Sequence, residues 1–410
     1  MFNMKSLKLL PILVAFTWSS CNKTIDEPLL VQKKVENPAS IQISNMLVSI
    51  NEASLIAQRS SKFFGRNSKG KTASFSFKTK SILKSSISSI NSTPYYYVFN
   101  FKEGGWVIIS ADRRTMPILA YSNNGYFDDN NKPIGVVIWE ENTKKHISKL
   151  RMKSSSNSLN AVIQEWNYLN CIEDPLSITK SITNSNCHSP DELISVETVE
   201  PLIKTGWGQG CGYNQFCKVT DNIDNCFKSP TGCVATAMAQ VVKYWQYPNY
   251  YNYNNMPYSS GNYDVAKLML DCGKSVHMHY ENDGSHAKFD SIHLALKQSF
   301  QYSSATYNSK SEYNHNSIVY NIVAKQPVIL GACQDSKEFL GIPYRFSNCH
   351  AWVCDGYSRY IYVGYTLLMF HMNWGWSGAY DGWYQFNNWD ITEEEINYQY
   401  YKEAIINIHP

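Results

Sequence analysis

A chain of 410 residues, 43% apolar and 14% aromatic, is too long for one ordinary domain, so two folded regions with connecting segments are expected. The formal charge of +3 is small for this length, and no Lys/Arg block is dense enough to read as a nucleic-acid surface, so nucleic acid is not expected as a partner. Charge says little else about what the chain meets.

At the N-terminus, Lys5 and Lys8 precede an apolar run from Leu9 through Phe16, too short to span a membrane and suited to the core of a secretory signal. Ser19 and Ser20 then stand directly before Cys21. That layout resembles a bacterial lipoprotein signal over residues 1–21, with Cys21 as the lipid-bearing first residue of the mature chain. Trp18 departs from it, since an aliphatic residue is usual there, and a plain cleaved signal is the alternative. In an exported protein the other cysteines read mainly as disulfides. With Cys21 and Cys233 set aside nine remain, an odd number, so at least one further thiol must stay free.

Residues 22–155 read as a small α+β unit. A helical face is expected within 44–64 from Met46, Leu47, Ile50, Leu55, Ile56 and Phe63. Two strands joined at Glu103-Gly-Gly fill 95–110, another strand starts at Pro117, and a helix covers 134–150. Residues 156–198 are rich in Ser, Thr and Asn and read as a linker open to proteolysis. From 199 to 410 a long apolar helix candidate, Val234 to Trp245, comes early and strand-like runs come late, which predicts a second α+β domain in two layers.

Cys233 follows Gly232 and opens that apolar helix, ended by Pro248. Unsatisfied N–H groups and the helix dipole at this position favour a thiolate. Downstream, His350 leads into the apolar run Ala351-Trp-Val-Cys, where a strand end can present an imidazole as a general base. Cys before His at this separation is the order of papain-like enzymes. A zinc site is not expected, because Cys211, Cys217 and Cys226 lack the paired spacing of structural metal centres. His277 and His279 would share one face of a strand, as an exposed polar face.

Four ordered motifs carry a resemblance: Trp207-Gly-Gln-Gly-Cys-Gly-Tyr-Asn, Gly232-Cys-Val-Ala-Thr-Ala-Met-Ala-Gln, His350-Ala-Trp-Val-Cys-Asp-Gly, and Asn373-Trp-Gly-Trp-Ser-Gly-Ala-Tyr-Asp-Gly-Trp-Tyr. Together they resemble the streptopain family of papain-like cysteine peptidases. Gly105 to Ser122 is similar to the inhibitory propeptide of that family. The resemblance implies a fold of class α+β, a papain-like catalytic domain with a helical layer and an antiparallel, barrel-like sheet layer, preceded by a small α+β propeptide domain. It implies Cys233 as nucleophile, His350 as base, and Gln209 in the oxyanion hole with the Cys233 N–H. Where papain has the asparagine of Asn-Ser-Trp-Gly, this chain places Met372. Either Asn373 reaches the imidazole by a local shift, or Trp374 shelters a Cys-His dyad, and the second is preferred. Cys349 replaces the family's usual glycine before His350, where it would crowd the site, pair with Cys354 or trap Cys233.

The expectation is therefore an exported bacterial cysteine endopeptidase made as a zymogen, in the cell envelope as a lipoprotein or secreted after processing. Its partners would be protein or peptide substrates, its own propeptide as intramolecular inhibitor, and a membrane only through the lipid anchor. No cofactor and no metal are expected. The alternative is a catalytically degenerate member that binds peptides or inhibits a protease.

Overall fold

The computed structural model describes residues 46–60, 82–90, 93–130, 132–152, 162–163, 165–167, 169, 193–282, 284–309, 312, 314–339, 342–362, 365–386 and 402–410. Cys21, the signal at 1–21 and most of the Ser/Asn-rich segment lie outside them.

In chain order the elements are α1 (Ile50–Ser60), β1 (Ile82–Ile90), β2 (Thr93–Phe101), β3 (Trp106–Ser110), β4 (Ile118–Ser122), α2 (Ile134–Met152) and β5 (Leu193–Val199). They continue as α3 (Cys233–Trp245), α4 (Tyr263–Ser275), β6 (His279–Tyr280), β7 (Ser285–His286), α5 (Ser291–Gln298), β8 (Ser304–Asn308) and α6 (His315–Val323). The C-terminal part is β9 (Val328–Phe339), β10 (Ile342–Tyr362), β11 (Tyr365–Asn373), β12 (Gly382–Gln385) and β13 (Glu403–His409).

Eleven strands form one antiparallel sheet in the order β1-β2-β3-β4-β12-β11-β10-β9-β13-β8, with β5 also on β10. The sheet is open and not a closed barrel, because its path ends at β1 and β8. The fold is α+β as expected, and the propeptide-like strands are continuous with the C-terminal ones. Their junction is β4 on β12, with Tyr121 opposite Trp383 and Ala120 opposite Tyr384. Gly382 permits the approach, since a Cβ there would stand 2.6 Å from the Tyr121 carbonyl.

Strand alternation divides β10 between two cores. Ala351 and Val353 join α3, α4 and α5 on one face, while Trp352 and Cys354 face the other way, with Trp139 and Val136 of α2. That second core also takes in Trp106, Ile108 and Ala120 from β3 and β4, and Trp374 and Tyr384 from the C-terminal region. A third core packs α1 against β2 and β3 and includes Trp383. It buries Val162, Trp166 and Leu169 as well, so the segment read as a linker begins with side chains held in the fold. The Trp166 indole donates to the Thr115 carbonyl at 2.7 Å. At its far end β5 pairs with β10 over Leu193–Val199.

His277 is not in the strand expected for it. It sits in the left-handed region at φ 55°, and in the short hairpin that follows His279 pairs with His286. Among the described residues, no helix is long and apolar enough to cross a membrane, and no group of three or more His, Cys, Asp or Glu could hold a metal ion.

Because one sheet and one core run through both regions, the Cys233→Ala precursor is expected to melt in a single transition followed by circular dichroism. Ile108→Ala, which empties a fully buried position of the shared core, should cost about 2–5 kcal/mol of that transition. Two separable transitions, with only one moved by Ile108→Ala, would contradict the shared core.

Candidate active site

Cys233 is the first residue of α3, and Gly232 before it adopts φ 87°, a backbone region open to glycine. A side chain at Gly232 would also collide with Met278 and lie 2.9 Å from the Ser285 carbonyl. The preceding turn is tied down from a distant loop, because Thr231 N–H donates to the Gln209 carbonyl at 2.9 Å. Gln209 is half-buried, and this backbone bond ties its loop to the turn that precedes Cys233.

A buried polar network fixes that loop. Gln240 of α3 accepts from Thr205 Oγ1 at 2.9 Å and from Trp207 N–H at 3.2 Å. Its amide donates to Asn373 Oδ1 at 2.9 Å, and Asn373 Nδ2 donates to the Thr205 carbonyl at 2.7 Å. Asn373 Oδ1 takes a further bond from Gly375 N–H at 3.2 Å. Every member is paired, so the network locks α3, the Gln209 loop and the end of β11 together. Asn373 spends its polar atoms there and none on His350.

His350 lies on β10 opposite Ala332 of β9 and is buried. Its Nε2 bonds the Trp374 carbonyl at 2.9 Å. A carbonyl only accepts, so Nε2 carries the proton and Nδ1 is left with a lone pair for use as a base. The ring stacks on Trp352 at 6.0 Å and meets the edge of Trp376 at 6.2 Å. Trp374 packs in turn on Trp352 at 5.0 Å and Tyr384 at 5.2 Å. Over this cluster lies the first turn of α2, where a Cβ on Gly135 would stand 2.6 Å from Trp374 Cε3 and 3.0 Å from His350 Cδ2.

Cys233 reaches β10 one residue further on, its sulfur taking backbone N–H bonds from Ala351, Val234 and Cys233 itself. Among the described residues no hydrogen bond joins Cys233 to His350. The helix terminus is expected to favour the thiolate, yet burial outweighs those N–H groups and pushes the Cys233 thiol up. Burial also pushes His350 down to about 4, against the pull of its bond to Trp374. Both groups are thus held neutral.

Cys349 does not pair with Cys354 or with Cys233. It forms a disulfide with Cys333, its direct cross-strand neighbour on β9. Cys354 lies further along the same strand, opposite Val328, and stays a buried thiol. A second disulfide joins Cys211 to Cys226. Among the described residues Cys217, Cys233, Cys272 and Cys354 are free.

The model of the peptidase C10 family covers residues 207–250 and 249–384, and the Spi protease inhibitor model covers residues 45–147. The chain belongs to the peptidase C10 family. Streptopain of Streptococcus pyogenes is 26% identical to this C10 peptidase over 338 residues, 70% of this chain and 73% of streptopain. The thiol protease/hemagglutinin PrtT of Porphyromonas gingivalis is 23% identical over 328 residues, 71% of this chain and 34% of that protein. Among solved structures, a prointerpain A fragment of Prevotella intermedia shares the fold with a TM-score of 0.53 and 24% identity, covering 80% of this chain and 99% of the fragment. The C10 peptidase is a cysteine endopeptidase that carries its own inhibitor domain.

Three residues of the site escape a reading of the sequence. Gln240 is one polar position on an apolar helix, Gly135 is a helix glycine without a local reason, and Asp381 is one acid in a turn. Asp381 Oδ1 accepts from Trp374 N–H at 2.8 Å, and burial pushes its carboxyl up to about 7. The Asp-Gly step leading into β12 is the only local hint of it.

Because burial makes the charged form of each costly, His350 and Asp381 pull stability in opposite directions as pH changes. His350 costs the fold stability as pH falls from 6.5 towards 4, and Asp381 does so as pH rises from 3.8 through 7. Melting therefore isolates neither, but ring titration does. In the Cys233→Ala precursor, NMR should place the His350 midpoint near pH 4; a midpoint at about 6.5, the free-imidazole value, would contradict the sealed ring.

Proposed function

We propose that this C10 peptidase is an exported zymogen that hydrolyses peptide bonds through Cys233 and His350, once its inhibitory region of about 22–155 leaves the catalytic domain of about 199–410. The observation that carries the proposal is the lid formed by Gly135 of α2 on Trp374 and His350, one β10 residue from the backbone that contacts the Cys233 thiol.

When the lid is gone, water reaches the site and His350 turns Nδ1 towards Cys233. The Cys233 proton passes to Nδ1, and the thiolate attacks the substrate carbonyl carbon. The Gln209 amide and the Cys233 N–H stabilise the resulting oxyanion. As the C–N bond breaks, His350 gives the proton to the leaving amine, and a thioester to Cys233 remains. Water, deprotonated by Nδ1, attacks the thioester, releases a carboxylate and restores the thiol. In this reading Trp374 supplies its carbonyl to hold Nε2–H and its ring to shelter the base. Asn373 braces the turn and does not orient the imidazole.

A cut within about 156–198 would separate the two regions covalently. If Cys21 bears lipid, the cut would also free the catalytic domain from the membrane.

Three precursors test the proposal, namely wild type, Cys233→Ala and Gly135→Val. Wild type should mature alone, and Cys233→Ala should stay full length. Overpacking at Gly135 should cost about 1–3 kcal/mol, a roughly 5- to 150-fold shift towards the open form, seen as peptide hydrolysis before any cleavage. Maturation of purified Cys233→Ala, or a Gly135→Val precursor as silent as wild type, would sink it.

A further inference from the structure

Trp374 faces two ways. Its carbonyl accepts from His350 Nε2 at 2.9 Å, and its N–H donates to Asp381 Oδ1 at 2.8 Å. Residues 374–381 leave β11 and re-enter at β12, where Met372 stands opposite Gly382. Asp381 therefore clips the neck of a turn whose first carbonyl is the acceptor for the base. Inside that turn the backbone is wound through positive φ at Gly375 (67°), Ser377 (56°), Gly378 (77°) and Tyr380 (66°). So tight a path leaves the direction of the Trp374 carbonyl to a few anchoring bonds: the Asp381 carboxyl takes the Trp374 N–H, Asn373 Oδ1 takes the Gly375 N–H, and further along the Tyr384 hydroxyl donates to the Tyr380 carbonyl at 2.7 Å.

We propose that Asp381 is a positioning residue for peptide hydrolysis: it holds the Trp374 N–H and so aims the Trp374 carbonyl that fixes the His350 ring and its tautomer. The proposal rests on the reading of His350 as the base. Asp381 makes no contact with substrate in this role and acts only through Trp374. Its surroundings suit an acceptor that need not be charged. Burial favours the neutral carboxyl, although the Trp374 N–H it accepts and then His371, itself bonded to Asp355 at 2.7 Å, draw it the other way. An amide at position 381 keeps an acceptor oxygen of the same reach, whereas a methyl group leaves the Trp374 N–H unpaired.

The test uses the full precursor as wild type, Asp381→Asn and Asp381→Ala, each allowed to mature, with the full-length Cys233→Ala precursor as the inactive control. Kinetics are followed on a fluorogenic peptide that the wild type cleaves. A misdirected base costs rate and not ground-state binding, so Asp381→Ala should lose roughly 10- to 100-fold in kcat while KM stays within about twofold. Asp381→Asn should stay within about threefold of wild type in kcat. Nitrogen NMR of labelled histidine, in precursors also carrying Cys233→Ala, should show His350 as the Nε2–H tautomer with Asp or Asn at 381 and as a mixture with Ala.

Wild-type kcat in Asp381→Ala, or an intact Nε2–H signal in it, would overturn the proposal. If Asp381→Ala does not fold, the Asn variant decides: a retained Nε2–H signal supports the clip, and its loss in a folded protein overturns it. Should wild type and Cys233→Ala be equally inactive, the reading of Cys233 as nucleophile falls. The ring signal still decides the role of Asp381.

Discussion

Gly135 lets the first turn of α2 lie against Trp374 and the edge of the His350 ring, and the proposed latency rests on that contact. With the turn in place the imidazole is enclosed among Trp352, Trp374 and Trp376, its Nε2–H given to the Trp374 carbonyl. Aromatic contacts of this kind add about 0.5–1.5 kcal/mol per pair beyond the area they bury, so the cluster holds its shape firmly. The thiol meets the backbone of Ala351 and not the ring. Burial then keeps both the Cys233 thiol and the His350 imidazole neutral.

The inhibitory region does not simply rest on a finished enzyme. It extends the catalytic sheet through β4 on β12 and fills the same core as β9, β10 and β11. Backbone pairing at a sheet edge supplies registry, and the shared core supplies most of the free energy, since apolar burial scales with area and the pairing covers only two residue pairs. Trp383 shows the coupling in one residue: it pairs with Tyr121 across the junction and stands opposite His371 on β11. The residue before β12, Asp381, bonds the Trp374 N–H, so the strand that pairs with β4 is also joined to the turn whose first carbonyl holds the His350 ring.

Much of this was legible in the sequence where a signal is local. The apolar run after Gly232 announced α3, the run after His350 announced the core part of β10, and Glu103-Gly-Gly marked the β2–β3 turn. Cys233, His350, Gln209 and Trp374 were singled out by motif order, and the structure gathers them within one region. What stayed hidden depends on pairing between distant segments. Nothing beside Ala120 says that Tyr384 will lie opposite it, and nothing at Cys349 says that its partner is Cys333 and not the nearer Cys354. The linker reading missed Val162, Trp166 and Leu169, whose helical spacing is short and surrounded by polar residues. Asn373, which abuts Trp374-Gly375, was the less favoured of two candidates to support the imidazole; its commitment to Gln240 is a matter of tertiary packing alone.

The pH dependence of Cys233 alkylation, compared between intact precursor and matured enzyme, tests the latent arrangement most directly. If α2 keeps base and thiol apart, the precursor should react slowly with iodoacetamide up to about pH 8.5, the range of an ordinary thiol. Maturation should bring in a reactive thiolate with an apparent pKa lower by about two units or more, as pairing with imidazolium requires. Identical profiles before and after maturation, with the low-pH reactivity already present in the precursor, would contradict the account.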